Sequence, residues 1–278
     1  MPLRLVYRTP TNIPVEIEGF VPLAVRGQSL AEVERFPIFH GNQKCVLADF
    51  FSLTGNAEDG RFDFEGDLSG VHWIGAKMTA GQVHVEGSVG RHLGSEMTGG
   101  EIHVRGDASD WVGGEMRGGL IHVRGAAGNH IGAAYRGSRR GMTGGTILIQ
   151  GAVGQEIGHS MRRGLIAVGG CGDFAGINMI AGTILVFGPA GNRAGAGMRR
   201  GTIALMGQTS RPLPTFREGG SDKLLILQLL FRELASHGYP FNPTLLQATY
   251  RLYHGDLTTV GRGELLFPDF SSPLATSH

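Results

Sequence analysis

Seven methionines, Met78, Met97, Met116, Met142, Met161, Met179 and Met198, mark a repeat through the middle of this 278-residue chain. Each is followed three residues later by glycine (Gly81, Gly100, Gly119, Gly145, Gly164, Gly182, Gly201). A second glycine comes six residues after that (Gly87, Gly106, Gly125, Gly151, Gly170, Gly188, Gly207). Between the two glycines, branched residues alternate with others, as in Gln82-Val83-His84-Val85-Glu86 and Glu101-Ile102-His103-Val104-Arg105. The spacing is even apart from one longer step, Met116 to Met142, and one slightly shorter step, Met161 to Met179. A fixed period of about 20 residues with one short alternating strand per unit points to a solenoid, whose units bury their apolar face only by stacking.

Alternating branched residues suit a strand with one face buried inside such a coil. The flanking glycines allow positive φ or close backbone approach at corners, and the flexible thioether of Met fills an irregular interior there. Helical repeats need longer periods, and a leucine-rich repeat needs its own Leu and Asn ladder. The expected fold is therefore all-β: a single-stranded right-handed β-helix of about seven to nine coils. It would carry an N-terminal cap of strands and a short helix (residues 1–45), the β-helix itself (46–208), and a C-terminal two-helix extension and tail (209–278).

The ends support that division. Leu3-Leu5-Tyr7 and Val15-Ile17 alternate like strands, and Ser29-Leu30-Ala31-Glu32 reads as a capping box opening a short helix that stops near Pro37. Leu47 to Gly55 and Gly60 to Gly66 read as degenerate early coils. After the repeat, Ser221-Asp222 reads as the cap of a helix ending near His237 with Gly238 as its stop, and Asn242-Pro243 as the opening of a second helix. Elements of this kind are expected at solenoid ends, where a strand edge would otherwise stay unpaired.

Composition narrows the function. The 47 glycines follow from the repeat and do not imply disorder. A net charge of +1, with no basic domain, argues against nucleic acid. The longest apolar run, near Leu224 to Phe231, is too short to span a bilayer, and Met1-Pro2-Leu3-Arg4 opens no apolar signal core, so a cytoplasmic protein is expected. Cys45 and Cys171 form no CxxC pair, which leaves no thiolate framework for an iron–sulfur cluster or structural zinc.

The column that points out of the strands is uneven. It reads His84, His103 and His122 in the first three units, then Leu148, Ala167, Leu185 and Ala204. An apolar outer face needs a cover. The helix from Lys223 to His237 is the expected one, because intrachain burial costs no association entropy; a partner subunit is the alternative. Three stacked imidazoles suggest zinc, but a straight stack aims them one way with no carboxylate in the column, so a polar face is the plainer reading.

These motifs resemble the C subunit of formylmethanofuran dehydrogenase and the C subunit of the bacterial formyltransferase/hydrolase complex. The resemblance rests on the Met78-to-Gly207 repeat, on Pro37-Ile38-Phe39-His40-Gly41-Asn42 and on Leu47-Ala48-Asp49-Phe50-Phe51. The repeat alone is shared with the C-terminal β-helix of the glutamate synthase large subunit. The resemblance implies a hetero-oligomeric enzyme complex of one-carbon metabolism. In its bacterial form, a formyl group moves from formyl-tetrahydromethanopterin to a methanofuran-type amine and is released as formate. In that family the chemistry is assigned to amidohydrolase-like and formyltransferase-like partners, and this chain fits that division, offering no triad, clustered carboxylate pair or P-loop. Lone histidines such as His40, His130 and His159 read as structural. The C subunit of a molybdenum or tungsten formylmethanofuran dehydrogenase is the alternative. A stand-alone carbohydrate-active β-helix is a further one, and a glutamate-synthase-like module that positions neighbouring domains is another.

One column goes beyond scaffolding. The two positions after the repeat Met hold Arg117, Arg162, Arg163, Arg199 and Arg200, and the seven extra residues between units three and four bring Arg136, Arg139 and Arg140. Stacking would gather them on one corner, about 10 Å apart at alternate units. The resemblance implies a carrier with an oligoglutamate tail, and guanidinium groups pair carboxylates bidentately. These eight arginines are therefore the candidate binding residues for the tail, with solvation or salt bridges to acidic partner subunits as the alternative. No catalytic or metal-ligating residue is assigned to this chain.

Overall fold

The computed structural model describes residues 1–208 and 211–269 and is mostly β. The N-terminal part comprises β1 (Leu3–Tyr7), β2 (Val15–Glu16), the short helix α1 (Leu30–Glu34), β3 (Pro37–His40), β4 (Gln43–Val46) and β5 (Phe51–Thr54). β6 (Arg61–Glu65) and β7 (Val71–His72) lead into the repeat. The repeat strands are β8 (Gln82–Val85), β9 (Glu101–Val104), β10 (Leu120–Val123), β11 (Thr146–Val153), β12 (Leu165–Cys171), β13 (Thr183–Val186) and β14 (Arg200–Leu205). They are followed by β15 (Arg217–Asp222), α2 (Leu225–Ser236), β16 (Thr249–Gly255) and β17 (Arg262–Asp269).

Thirteen of these strands form one sheet in the order β15-β16-β17-β14-β13-β12-β11-β10-β9-β8-β6-β1-β5, parallel from β1 through β17. β2, β3, β4 and β7 form a smaller sheet. Register is fixed by the alternation: Val83, Ile102, Ile121, Ile147, Ile166, Ile184 and Ile203 are successive partners. All seven are buried, as are all seven repeat methionines. A one-residue slip would turn that whole column to solvent, which is why the pairing holds across the long step. There Leu120 still pairs Thr146, so the seven extra residues loop out and leave the sheet unbroken. A second line of parallel bridges, Leu68 to Val89 to Ala108 to Ala127, ties the same units together elsewhere.

The glycine after each Met is required by conformation and space together. Gly119 has φ +91°, and a Cβ there would lie 2.6 Å from the Gly100 carbonyl oxygen and 2.7 Å from Met97 Cε. Other corners put side-chain residues in the left-handed region, Trp73, His92, Trp111 and His130 among them. Each such residue costs about 1–2 kcal/mol. Hydrogen bonds between units offset that cost: Trp73 N–H donates to Arg91 O at 2.9 Å, His92 to Asp110 at 3.0 Å and Trp111 to Asn129 at 2.9 Å.

α2 covers the apolar part of the outer strand face. Leu227, Phe231 and Leu234, on one side of the helix, join Leu148, Ala167, Leu185 and Ala204 in a second core. Tyr239, just past the helix, donates its hydroxyl to the Ile149 carbonyl at 3.0 Å. Each large side chain buried there contributes about 1.5–3 kcal/mol. The cover is thus the internal helix, as expected from intrachain burial costing no association entropy.

Three expectations for the ends need correction. Residues 47–55 are not an early stacked unit: Leu47–Asp49 is a 3-10 turn, its Asp49 carboxylate accepting the Val46 N–H at 2.9 Å, and β5 runs antiparallel to β1. Gly60 to Gly66 does stack, since β6 pairs β8 in parallel. Among the described residues, the expected two-helix C-terminal extension is one α-helix, a four-residue 3-10 turn at Pro243–Leu246 and three strands. Ser221 and Asp222 lie in β15, and α2 begins three residues later behind Leu224. Tail residues 270–278 lie outside the described residues. At the N-terminus, the Ser29 box is present, with the Glu32 carboxylate accepting the Ser29 N–H at 2.7 Å.

Candidate functional site

The position after each Met stacks from unit to unit through backbone hydrogen bonds. Arg117 N–H donates to Met97 O at 2.8 Å, Thr143 to Met116 at 2.7 Å, Arg162 to Met142 at 2.8 Å, Ile180 to Met161 at 2.8 Å and Arg199 to Met179 at 2.8 Å. Arginine therefore occupies alternate places in one ladder, and four steps of about 4.8 Å make the row roughly 20 Å long.

Three adjoining hollows line this edge. One, about 480 Å³, brings Arg117 beside Arg139 and Arg140. The next, about 680 Å³, joins Arg139 and Arg140 to Arg162 and Arg199. The third, about 620 Å³, adds Arg163 and Arg200. Seven of the eight arginines singled out by sequence are thus brought together, while Arg136 is exposed on the same insertion outside these hollows. Among the described residues, the arginine ion pairs involve Arg4, Arg61, Arg91, Arg105 and Arg251, and none of the eight has an acidic partner. Guanidiniums about 10 Å apart at alternate units repel one another only modestly at physiological salt, and together they make this edge positive, with Glu115 in the first hollow.

Two features that bear on this edge escape a reading of the sequence. Arg262 pairs Arg200 across β14 and β17 and prolongs the row by one strand. Its sequence trace is the recurrence of Arg200-Gly201-Thr202-Ile203 as Arg262-Gly263-Glu264-Leu265. The second is an aromatic column, Trp73, His92, Trp111 and His130, spaced at the same period as the methionines. Trp73 and His92 stack with centroids 3.9 Å apart, and Trp111 and His130 at 4.6 Å. Tyr135, from the insertion, lies on Trp111 at 4.8 Å, and its hydroxyl meets His92 Nδ1 at 3.1 Å. That contact pins the loop carrying Arg136, Arg139 and Arg140. Burial pushes the Tyr135 phenol up to about 12 and the His92 imidazole down to about 4, so both are neutral near pH 7.

The outer histidines form a ladder with centroids 5.1 and 6.1 Å apart, tilted against each other. His103 Nε2 lies 3.3 Å from the Glu101 carboxylate. No group of three or more His, Cys, Asp or Glu among the described residues is placed to hold a metal ion. Both cysteines are free, and burial pushes the Cys171 thiol up to about 11. Among the described residues no helix is long and apolar enough to cross a membrane.

Comparison with known proteins places this architecture. The C subunit of the formyltransferase/hydrolase complex Fhc of Methylorubrum extorquens is 54% identical over 254 residues, covering 91% of this chain and 95% of that protein. The chain belongs to the family of Fhc C subunits. A chain of the crystal structure of the formyltransferase/hydrolase complex (FhcABCD) from Methylorubrum extorquens, in complex with methylofuran, superposes with a TM-score of 0.88. That match is at 37% sequence identity and covers 96% of this chain and 99% of that one. The GXGXG motif family matches residues 71–217, the stacked repeat. The C subunit of molybdenum-containing formylmethanofuran dehydrogenase 1 from Methanothermobacter wolfeii is 42% identical over 90 residues. That match covers 32% of this chain and 22% of that protein. The Fhc protein is therefore matched along nearly its full length, and the dehydrogenase protein over a part.

Proposed function

We propose that this chain is the non-catalytic structural subunit of a cytoplasmic formyltransferase/hydrolase complex, assembling amidohydrolase-like and formyltransferase-like subunits. In that complex a formyl group passes from formyl-tetrahydromethanopterin to a methanofuran-type carrier and leaves as formate. The stacked units are read as a right-handed β-helix from β6 to β14 (residues 61–205), capped by the strands and short helix before it and closed by β15, α2, β16 and β17. Near-complete coverage of the Fhc C subunit, against partial coverage of the dehydrogenase subunits, favours the hydrolase complex over the molybdenum or tungsten enzyme. Carboxylates on the outer strand positions, such as Glu86 and Glu101, are scattered and partly paired to Arg105 and His103, which speaks against a carbohydrate-cleaving groove.

Within that role, the arginine edge is the site that holds the oligoglutamate tail of the carrier. The observation that carries this is the row of seven arginines lining contiguous hollows with no acidic partner among the described residues. A flexible polyanion lying along the row would form bidentate, charge-assisted pairs. Such a grip on the tail leaves the reactive amine free to reach catalytic partners on either side. Charge reversal in R162E/R163E/R199E/R200E is expected to reduce carrier retained by the purified complex while the subunits still assemble. Unchanged carrier content in that variant sinks the tail-binding role.

A further inference from the structure

A second cleft lies away from the arginine edge, on the polar half of the outer strand face, where the α2 cover ends. It encloses about 590 Å³, within the usual range for a small-molecule site, and shares no lining residue with the arginine hollows. Its wall carries the stacked His84, His103 and His122, together with Arg124 and Gln150, and His237 closes the end beyond α2.

The charge balance of this cleft is uneven. Arg105 is held by Glu86 at 2.8 Å and Arg61 by Asp63 at 2.7 Å, whereas Arg124 has no acidic partner among the described residues. His122 is 7% exposed, and its Nε2 sits 3.0 Å from the Gln150 side-chain amide, so the neutral ring keeps a second nitrogen for another partner. His84 Nε2 is enclosed on the same wall without a hydrogen-bond partner among the described residues. Burial, with smaller contributions from the neighbouring His103, Arg124 and His237, lowers the His122 imidazole to about 4, so the ring is neutral near pH 7. An unpaired guanidinium beside a neutral imidazole with one ring nitrogen left over, in a cleft of small-molecule size, is what an oxyanion satisfies.

We propose that this cleft is a binding site for a small oxyanion, a carboxylate or a phosphate, held by Arg124 with His122 and His237. The test uses the full chain with labelled histidine rings, titrated with inorganic phosphate and separately with glutarate at constant ionic strength. Saturable shifts of the His122 and His237 ring signals are expected, with the apparent dissociation constant at least about tenfold weaker in R124A. Arg124 is exposed, and circular dichroism confirms that its variant is folded. The arginine-edge variant R162E/R163E/R199E/R200E should bind as the parent does, which separates this site from the carrier edge. Saturation by phosphate alone or by glutarate alone identifies the class of anion. Shifts that do not saturate by roughly 20 mM of either anion, or that survive unchanged in R124A, overturn the proposal.

Discussion

Replacing Phe231 by alanine measures what α2 contributes by covering the outer strand face. The ring is fully buried, with Phe241 at 5.0 Å and Phe187 at 6.0 Å between centroids, over the column that holds Leu185 and Ala204. Loss of a buried phenylalanine costs about 3–5 kcal/mol, the aromatic contacts included. Leu229, on the opposite side of the same helix, is 51% exposed, so its replacement by alanine should change stability by no more than about 0.5 kcal/mol. Urea titration of the three proteins, followed by circular dichroism, reads the difference directly. If F231A loses less than about 1 kcal/mol, or no more than L229A, α2 is not held by this core and the internal cover is wrong.

Gly119→Ala is expected to cost at least about 2 kcal/mol in the same titration, since the new Cβ meets the Gly100 carbonyl in a left-handed backbone. His92 and His122, whose imidazoles lie near 4 when folded, bind protons more readily in the unfolded chain. Their contribution is therefore complete above about pH 6.5 and lost as pH falls from there towards 4. The urea midpoint should drop across that window, less steeply in H92Q and H122Q, and an equal drop in those variants refutes the assignment. Burial holds the Cys171 thiol protonated at pH 8, so a thiol reagent should label it only as the chain unfolds, whereas labelling of native protein contradicts its placement.

The middle of the chain was legible because one physical demand recurs there once in every unit. Met at the corner, Gly three later and paired branched residues each answer to burial or to positive φ, and the structure uses every one of those positions as the spacing implies. The change of the outer column from His84, His103 and His122 to Leu148, Ala167, Leu185 and Ala204 likewise showed where a cover was needed, and α2 supplies it. The ends were less legible because non-local pairing decides them. Phe51–Thr54 has the look of a repeat strand, yet β1 takes the place beside β6 and turns it antiparallel. At the C-terminus, Asn242-Pro243 does start a turn, with Asn242 Oδ1 accepting the Thr244 N–H at 3.0 Å, but the chain then leaves as β16. The Arg262-Gly263 recurrence was the available clue that the sheet resumes. That Arg117, Arg162, Arg163, Arg199 and Arg200 share one edge follows from stacking, whereas the place of Arg139 and Arg140 beside them depends on the insertion held by Tyr135 on Trp111, a contact that could not be read locally.

The role of a structural subunit is tested most directly by native purification of the chain from its own cell, followed by mass spectrometry of what comes with it. An amidohydrolase-like and a formyltransferase-like subunit should accompany it in fixed proportion, together with a carrier bearing an oligoglutamate tail. A monomer that cleaves glycans, or a complex whose partners carry molybdenum or tungsten, contradicts the account.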